Sequence, residues 1–184
     1  MGNNFIHRWF GANTTPPEKP VALSVEQLAQ AGDAEAQFQL GLEYSTAEGP
    51  ARDEVQAAAW YLKAAEQNHG LAQFNLGQML GGGKGVTQDA ARSLFWLRRA
   101  AHSGIAGAQF NLGRVCQRAS MDGPAMDAPT ARIEAYLWYE LAAAQDYSAA
   151  KGAFAQLTIK MTRDEVTEAR RRVSAWGQEP CLAH

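Results

Sequence analysis

The six-residue motif Ala36-Gln37-Phe38-Gln39-Leu40-Gly41 occurs three times in this chain and decides its fold. It returns at residues 72–77 as Ala-Gln-Phe-Asn-Leu-Gly and at residues 108–113 with the same letters, so the starts at 36, 72 and 108 are spaced by 36 residues. A fixed period of this size is the signature of an array of stacked structural repeats. About 36 residues accommodate two helices of about 12–14 residues and two short turns.

A second motif follows each copy of the first. Residues 59–65, Ala-Trp-Tyr-Leu-Lys-Ala-Ala, correspond to residues 95–101 after 36 positions and to residues 137–143 after a further 42. The third unit therefore contains six additional residues between its two motifs. The stretch 119–129 is rich in Gly, Pro and Asp, and we expect it to be a loop that contains the insertion.

The composition of the 184 residues favours an all-α fold. Alanine makes up about a fifth of the chain, whereas Val and Ile together number 11. Alanine is the best helix former and β-branched residues favour strands. The net charge of −2 provides no basic surface for nucleic acid, and no apolar run approaches the roughly 20 residues of a membrane span.

Residues typical of helix ends mark the same units. We expect Ser24 and Asp53 to be N-caps, because a glutamine stands three residues after each. In the third unit Pro129 should mark the helix start. Residues that tolerate the left-handed conformation follow the three second motifs at Asn68, Gly104 and Asp146, and Gly32 stands at the corresponding position before the first unit.

Three glycines in the first motif, Gly41, Gly77 and Gly113, fall in the middle of predicted helices. Glycine there costs about 1 kcal/mol relative to alanine. The repetition of this cost predicts that another helix approaches too closely for a Cβ atom. We expect the tryptophans of the second motif to be the large side chains that face these glycines and the paired alanines of the second motif: Trp60, Trp96 and Trp138.

The opposite side of the first helix of each unit is polar to mixed. Its amides offer both hydrogen-bond donors and acceptors, which suit the backbone or side chains of a bound protein segment. The alternative is a solvated helix face without a ligand. The candidate contact residues for a partner are Gln39, Glu43, Asn75, Met79 and Asn111.

No group of residues has the spacing of a catalytic or metal site. The four histidines lack ligand spacing, and no Ser-His-acid or Cys-His grouping is evident. The glycine-rich stretch 81–85 does not match a phosphate-binding loop, because Gly85 stands where Ser or Thr is required. We therefore expect no catalytic residue, metal or cofactor, and we expect Cys116 and Cys181 to be unpaired.

Several motifs resemble the Sel1-like repeat family, which is related to tetratricopeptide repeats. The resemblance covers about residues 29–157 and is carried by the string from Ala29 to Gly41, by residues 60–67, and by Gly83-Lys84-Gly85-Val86 followed by Asp89. It implies a right-handed α/α superhelix, or solenoid, of three repeats. It also implies a non-enzymatic adaptor in bacterial signalling or envelope assembly.

The expected organisation consists of an arm, a repeat array and a tail. The array spans residues 21–177 and ends in a capping helix that begins with the capping box Thr162 to Glu165. Arginines 170–172 suit the C-terminal end of that helix, and the alternative is that they hold an acidic partner. The boundaries are 1–20 for the arm, 33–68, 69–104 and 105–146 for the units, 147–161 for a partial unit, 162–176 for the capping helix and 178–184 for the tail.

The arm contains an aromatic cluster before a proline-rich stretch. Phe5, Trp9 and Phe10 could cover the first unit, dock on another chain or contact a membrane surface, and the sequence leaves these alternatives open.

The predicted function is a scaffold that binds a protein or peptide on the concave side of the superhelix. The alternatives are a regulatory protein that binds a small molecule or glycan, and a dedicated inhibitor of one enzyme or toxin. The expected location is cytoplasmic, or periplasmic if a leader has been removed, because the first residues do not have the pattern of a signal peptide.

Overall fold

The computed structural model describes residues 23–122 and 127–176, and within these ranges the regular structure is helical. The all-α prediction is therefore confirmed. The nine α-helices of the described residues are α1 Val25–Gln30, α2 Ala34–Thr46, α3 Glu54–Glu66, α4 Gly70–Gly82, α5 Ala90–His102, α6 Ala106–Asp122, α7 Ala128–Ala144, α8 Ser148–Ile159 and α9 Arg163–Trp176, with a short 3-10 helix at Gly49–Ala51.

Consecutive helices pack against one another from α1 to α8, and α9 packs against α7. The pairs α2–α3, α4–α5 and α6–α7 are the hairpins that the two motifs predict. We call α2, α4 and α6 the first helices of the three units, and α3, α5 and α7 the second helices. Because each hairpin contacts mainly its neighbours, the hairpins form an α/α solenoid.

The helix ends follow the predicted signals. The side chains of Asp53 and Asp89 accept hydrogen bonds from the first-turn amides of α3 and α5, and Ser24 forms a complete capping box with Gln27. In the third unit Asp127 is the N-cap of α7, and Pro129 lies in the first turn. The predicted left-handed residues have positive φ angles: Gly32 at 101°, Asn68 at 65°, Gly104 at 84° and Asp146 at 60°.

Helix–helix contacts at the three glycines are close, as predicted, but the facing residues differ from the prediction. A Cβ atom on Gly41 would lie 2.8 Å from Tyr61, and one on Gly113 would lie 2.5 Å from Tyr139. On Gly77 it would lie 3.0 Å from Leu97. Thus the residue after each tryptophan faces the glycine, and the prediction that the tryptophans do so is wrong.

The tryptophans instead join each hairpin to the structure before it. Trp96 is buried with alanines of α3 and with residues of α4, and Trp138 is buried with residues of α5 and α6. Trp60 is half-buried and packs against residues of α1 and α2. Adjacent residues on a helix point about 100° apart, so the tryptophan and its successor serve different interfaces.

A buried glutamine in each first motif links a hairpin to the helix that precedes it. The Nε2 atoms of Gln37, Gln73 and Gln109 donate hydrogen bonds to carbonyl oxygens near the C-terminal ends of α1, α3 and α5. The acceptors are Ala29 at 3.1 Å, Ala65 at 3.1 Å and Ala101 at 3.2 Å. These bonds satisfy carbonyl groups that a helix end leaves without partners.

The predicted loop 119–129 is wrong at both of its ends, and its residues 123–126 lie outside the described residues. Helix α6 continues through Asp122 and α7 begins at Ala128. Both helices have 17 residues, whereas α2, α3, α4 and α5 have 13 each. The insertion therefore lengthens the hairpin, and residues 119–122 and 128–129 are helical.

Helices α8 and α9 cover the C-terminal end of the array. Leu157 and Ala169 are buried there, and the predicted capping box is present: Glu165 Oε2 accepts from the Thr162 amide at 2.7 Å and Thr162 Oγ1 accepts from the Glu165 amide at 3.3 Å. Glu165 also pairs with Arg132 of α7.

The three arginines near the end of α9 have partners within the described structure. Arg171 and Arg172 pair with Glu168, and Arg170 donates to the Tyr136 hydroxyl at 3.3 Å. These contacts favour a role in packing the cap over binding an acidic partner. The predicted arm 1–20 and tail 178–184, with Phe5, Trp9, Phe10 and Cys181, lie outside the described residues.

Candidate functional site

Four of the five predicted contact residues lie on one accessible side of the first helices. Gln39 and Glu43 of α2 are exposed, and Asn75 of α4 and Asn111 of α6 are half-buried. Met79 differs, since it is only 8% exposed and packs in the core with residues of α3 and α4. We call the side of α2, α4 and α6 that carries Gln39, Asn75 and Asn111 the A face.

An open cleft of about 310 Å³ lies on the A face between α2 and α4. Two of the predicted contact residues, Asn75 and Met79, line it together. Although Met79 is largely buried, it therefore contributes to the cleft surface. The other lining residues are Leu42, Ser45, Arg52, Glu54, Tyr61, Gln78 and Lys84.

The carboxamides on the A face differ in their hydrogen bonding. Gln39 donates to Glu35 at 3.1 Å within α2. The side chains of Asn75 and Asn111 form no hydrogen bond with any described residue. Because they stand at equivalent positions 36 residues apart, α4 and α6 each present an amide with unused donors and acceptors.

His69 joins the first two units beside the A face. Its Nδ1 accepts from the Ala72 amide at 3.2 Å, so its Nε2–H donates to Glu35 at 3.1 Å. The ring also stacks on Phe38 at a centroid distance of 4.6 Å. The hydrogen bonds from His69 and Gln39 lower the pKa of the Glu35 carboxyl, so this group keeps its negative charge. His69 is thus both a helix-capping residue and a contact between the first two units.

Two tyrosines occupy equivalent positions beneath the A face. The hydroxyl of Tyr61 lies 3.0 Å from Ser45 Oγ, and the hydroxyl of Tyr139 donates to Gln117 at 2.7 Å. Burial raises the pKa of Tyr139 to about 12, and the nearby charge of Arg114 acts in the opposite direction. Tyr139 is therefore a neutral hydrogen-bonding residue at physiological pH.

The sequence prediction did not include the charged residues at the rim of the cleft. Arg52 and Glu54 form an ion pair at 2.6 Å, and Lys84 lies in the turn after α4. These residues stand outside the first motif, whereas the predicted contact residues were chosen from the outward-facing side of the first helix. The glycines on either side of Lys84 were the available sequence signal for a tight turn, and both Gly83 and Gly85 have positive φ angles in the structure.

Neither a metal cluster nor a membrane span is found in the described parts of the chain. No three His, Cys, Asp or Glu residues among them are close enough to hold a metal ion. No helix within residues 23–122 and 127–176 is both long and apolar enough to cross a bilayer.

The period of 36 residues, the paired helices and the glycine contacts define a solenoid of short helical repeats. The chain belongs to the Sel1 repeat family, which it matches over residues 34–69, 70–105 and 106–147. These matches cover the three hairpins and more than half of the chain, and they confirm the resemblance that the motifs suggest.

Two solved structures are similar to this chain. A Sel1 repeat protein from Oxalobacter formigenes is 36% identical, with a TM-score of 0.61, and the match covers 72% of this chain and 95% of that one. The second is c5321, a protective antigen of uropathogenic Escherichia coli with the same repeat fold, at 24% identity and a TM-score of 0.53. That match covers 84% of this chain but 40% of c5321, so it shows the fold alone. No curated protein matches the chain.

Proposed function

We propose that this protein is a non-enzymatic scaffold that binds a segment of a partner protein on the A face. The observation that carries the proposal is the repeated presentation of unused amides: Asn75 and Asn111 occupy equivalent positions on successive first helices. A row of amides at the repeat spacing can pair with several backbone or side-chain amides of one bound segment. The bacterial setting, in signalling or envelope assembly, is part of the proposal and rests on the family.

The cleft supports a protein segment as the ligand rather than a metabolite. Its volume of about 310 Å³ is at the lower end of the range for small-molecule sites, which are also mostly apolar and enclosed. This cleft is open, and polar or charged residues form much of its lining. Such a surface suits one side chain of a longer segment that continues across the neighbouring helices.

The test is a double substitution, Asn75→Ala with Asn111→Ala. A partner is first captured from a lysate of the source bacterium and identified by mass spectrometry, and its binding segment is then measured as a peptide by isothermal titration calorimetry. We expect the double variant to lose about five- to 150-fold in affinity, because two interface hydrogen bonds at about 0.5–1.5 kcal/mol each contribute about 1–3 kcal/mol together. Its melting temperature should remain close to that of the native protein, since neither side chain forms a hydrogen bond with a described residue.

A matched control removes two exposed amides elsewhere. Gln30 of α1 and Gln56 of α3 are exposed, and their side chains make no hydrogen bond with a described residue. The variant Gln30→Ala with Gln56→Ala should bind the segment as the native protein does. Equal affinity of the native protein and the Asn75/Asn111 variant would refute the A face as the binding site.

The cleft also gives a second candidate function, recognition of a small polar ligand. A thermal-shift screen of metabolites and glycans distinguishes the two, because a ligand that binds the native state raises the melting temperature. Stabilisation that disappears in a variant with Lys84→Ala would favour the small-ligand function.

A further inference from the structure

The charge of the A face changes sign along the array. The column Leu42, Gln78 and Arg114 runs from apolar through neutral to basic at successive 36-residue steps. The adjacent column begins with Glu43 and ends with Val115, so its acidic member lies in the first unit. The first unit of the A face is therefore acidic and the third is basic.

The structure places the members of these columns on the same side of their helices. Leu42 and Gln78 both line the cleft, where Tyr61 also lies. Arg114 is the counterpart of Gln78 in the next unit, and it lies close enough to Tyr139, the counterpart of Tyr61, for its charge to act on that phenol. Its guanidinium is 6.0 Å from the centroid of the Phe110 ring.

The two charges are available to a ligand. Glu43 and Arg114 are exposed, and neither forms an ion pair with a described side chain. Arg52 contributes little net charge at the cleft, because Glu54 neutralises it at 2.6 Å. Lys84 lines the cleft and follows α4, so it adds positive charge at the second unit.

We infer that the A face binds its partner segment in one direction, with a basic residue of the segment over α2 and an acidic residue over α6. This specificity rests on the scaffold function proposed above and adds the chemistry and orientation of the ligand. Exposed ion pairs contribute little affinity, but like charges placed opposite each other are repelled, which selects one orientation. The exposed apolar side chains of Leu42 and Val115, which are 41% and 45% exposed, suit apolar residues of the segment between its charged ends.

The test selects peptides from a random library on the immobilised full chain and measures the affinities of the synthetic peptides by fluorescence anisotropy at low and high salt. Peptides that depend on Asn75 and Asn111 should contain an acidic residue, and Arg114→Glu should weaken them by about tenfold at low salt. Replacing that acidic residue with lysine should restore binding to Arg114→Glu. In the same way, Glu43→Lys should weaken binding, and replacing the basic residue at the other end of the peptide with glutamate should restore binding to this variant.

The control is Arg92→Glu on α5. Arg92 is exposed, forms no ion pair with a described side chain and lies on a second helix, so the same charge change there should leave affinity unaltered. Peptides that depend on the two asparagines but bind Arg114→Glu and Arg92→Glu equally would overturn the orientation and leave the scaffold proposal standing. If the affinities of the selected peptides depend neither on the asparagines nor on Arg114, or if the library yields no peptide that binds the A face, both the orientation and the scaffold proposal are overturned.

Discussion

Replacing Gly113 with alanine tests the close helix contact on which each hairpin depends. A Cβ atom at this position would lie 2.5 Å from both Cδ1 and Cε1 of Tyr139, whereas carbon atoms in contact are about 3.5–4.0 Å apart. The ring has little room to move, because its hydroxyl donates to Gln117 at 2.7 Å and Phe110 packs against it at a centroid distance of 5.7 Å.

Two opposing effects set the expected magnitude. Alanine stabilises a helix interior by about 1 kcal/mol relative to glycine. Overpacking a core typically costs about 1–3 kcal/mol, and the backbone of α6 must shift here by about 1 Å to restore contact distances. The balance of the two effects predicts that Gly113→Ala lowers the free energy of unfolding by up to about 2 kcal/mol, measured by urea denaturation with far-ultraviolet circular dichroism.

The chain contains its own matched controls for this substitution. Gly152 lies inside α8 and a Cβ there would have no neighbour within 4 Å, so Gly152→Ala should stabilise the protein by up to about 1 kcal/mol. Gly77→Ala should cost less than Gly113→Ala, since Leu97 is 3.0 Å away and can change rotamer. If Gly113→Ala is as stable as Gly152→Ala, the glycines are not required by helix approach and the packing argument fails.

Three further predictions concern a missing hydrogen bond, an ion pair and a thiol. Gln73 is buried and its Oε1 has no partner among the described residues, because Ser103 stands where the other units have a glutamine. The substitution Ser103→Gln should supply this partner and raise the free energy of unfolding by about 1 kcal/mol, measured by urea denaturation. An unchanged free energy of unfolding would contradict this account. Burial alone would raise the pKa of Glu165, but hydrogen bonds from Arg132 and the Thr162 amide outweigh it and lower the pKa below the usual 4.5. The stability difference between the native protein and Glu165→Gln should thus be complete at neutral pH and shrink as the pH falls below 4.5, and a pH-independent difference would exclude this linkage. Burial raises the pKa of the Cys116 thiol to about 11, so iodoacetamide should modify Cys116 slowly in the folded protein at neutral pH and faster as the pH approaches 11. Mass spectrometry of the peptide that contains Cys116 measures the rate of modification. Rapid modification at neutral pH would contradict the prediction.

The hairpin architecture could be predicted because its signals are local and repeated. Helix ends depend on a few residues with special conformational preferences, and the left-handed positions Asn68 and Asp146 were found from their column alone. The mid-helix glycines likewise indicated close packing, since only a steric requirement explains three equal costs in helix stability.

The choice between neighbouring aromatic residues could not be predicted. Trp60 and Tyr61 are adjacent, and both recur as large residues in the second motif. Which of them faces Gly41 depends on the rotation of α3 about its axis, and that rotation is set by contacts with α1, α2 and α4 together. The repeat period determines the spacing of such contacts along the chain, but it does not determine how far each helix is rotated about its axis.

Met79 shows the same limit on the A face. Its counterparts Glu43 and Val115 are exposed, so the column predicts an exposed residue at this position. A methionine side chain is long and flexible enough to turn into a neighbouring core, and here it packs with Leu76 and Leu80. Equivalent backbone positions therefore do not guarantee equivalent side-chain exposure.

The positions that repeat and the positions that vary carry different information about this chain. Gln37, Gln73 and Gln109 are identical, and each makes the same bond to the preceding helix, so packing accounts for their identity. The side chains of Leu42, Gln78 and Arg114 form no hydrogen bond or ion pair with a described residue, and the first two line the cleft. The packing of the fold does not determine these three side chains. Their change from apolar to basic along the array is therefore a feature that a bound partner can select.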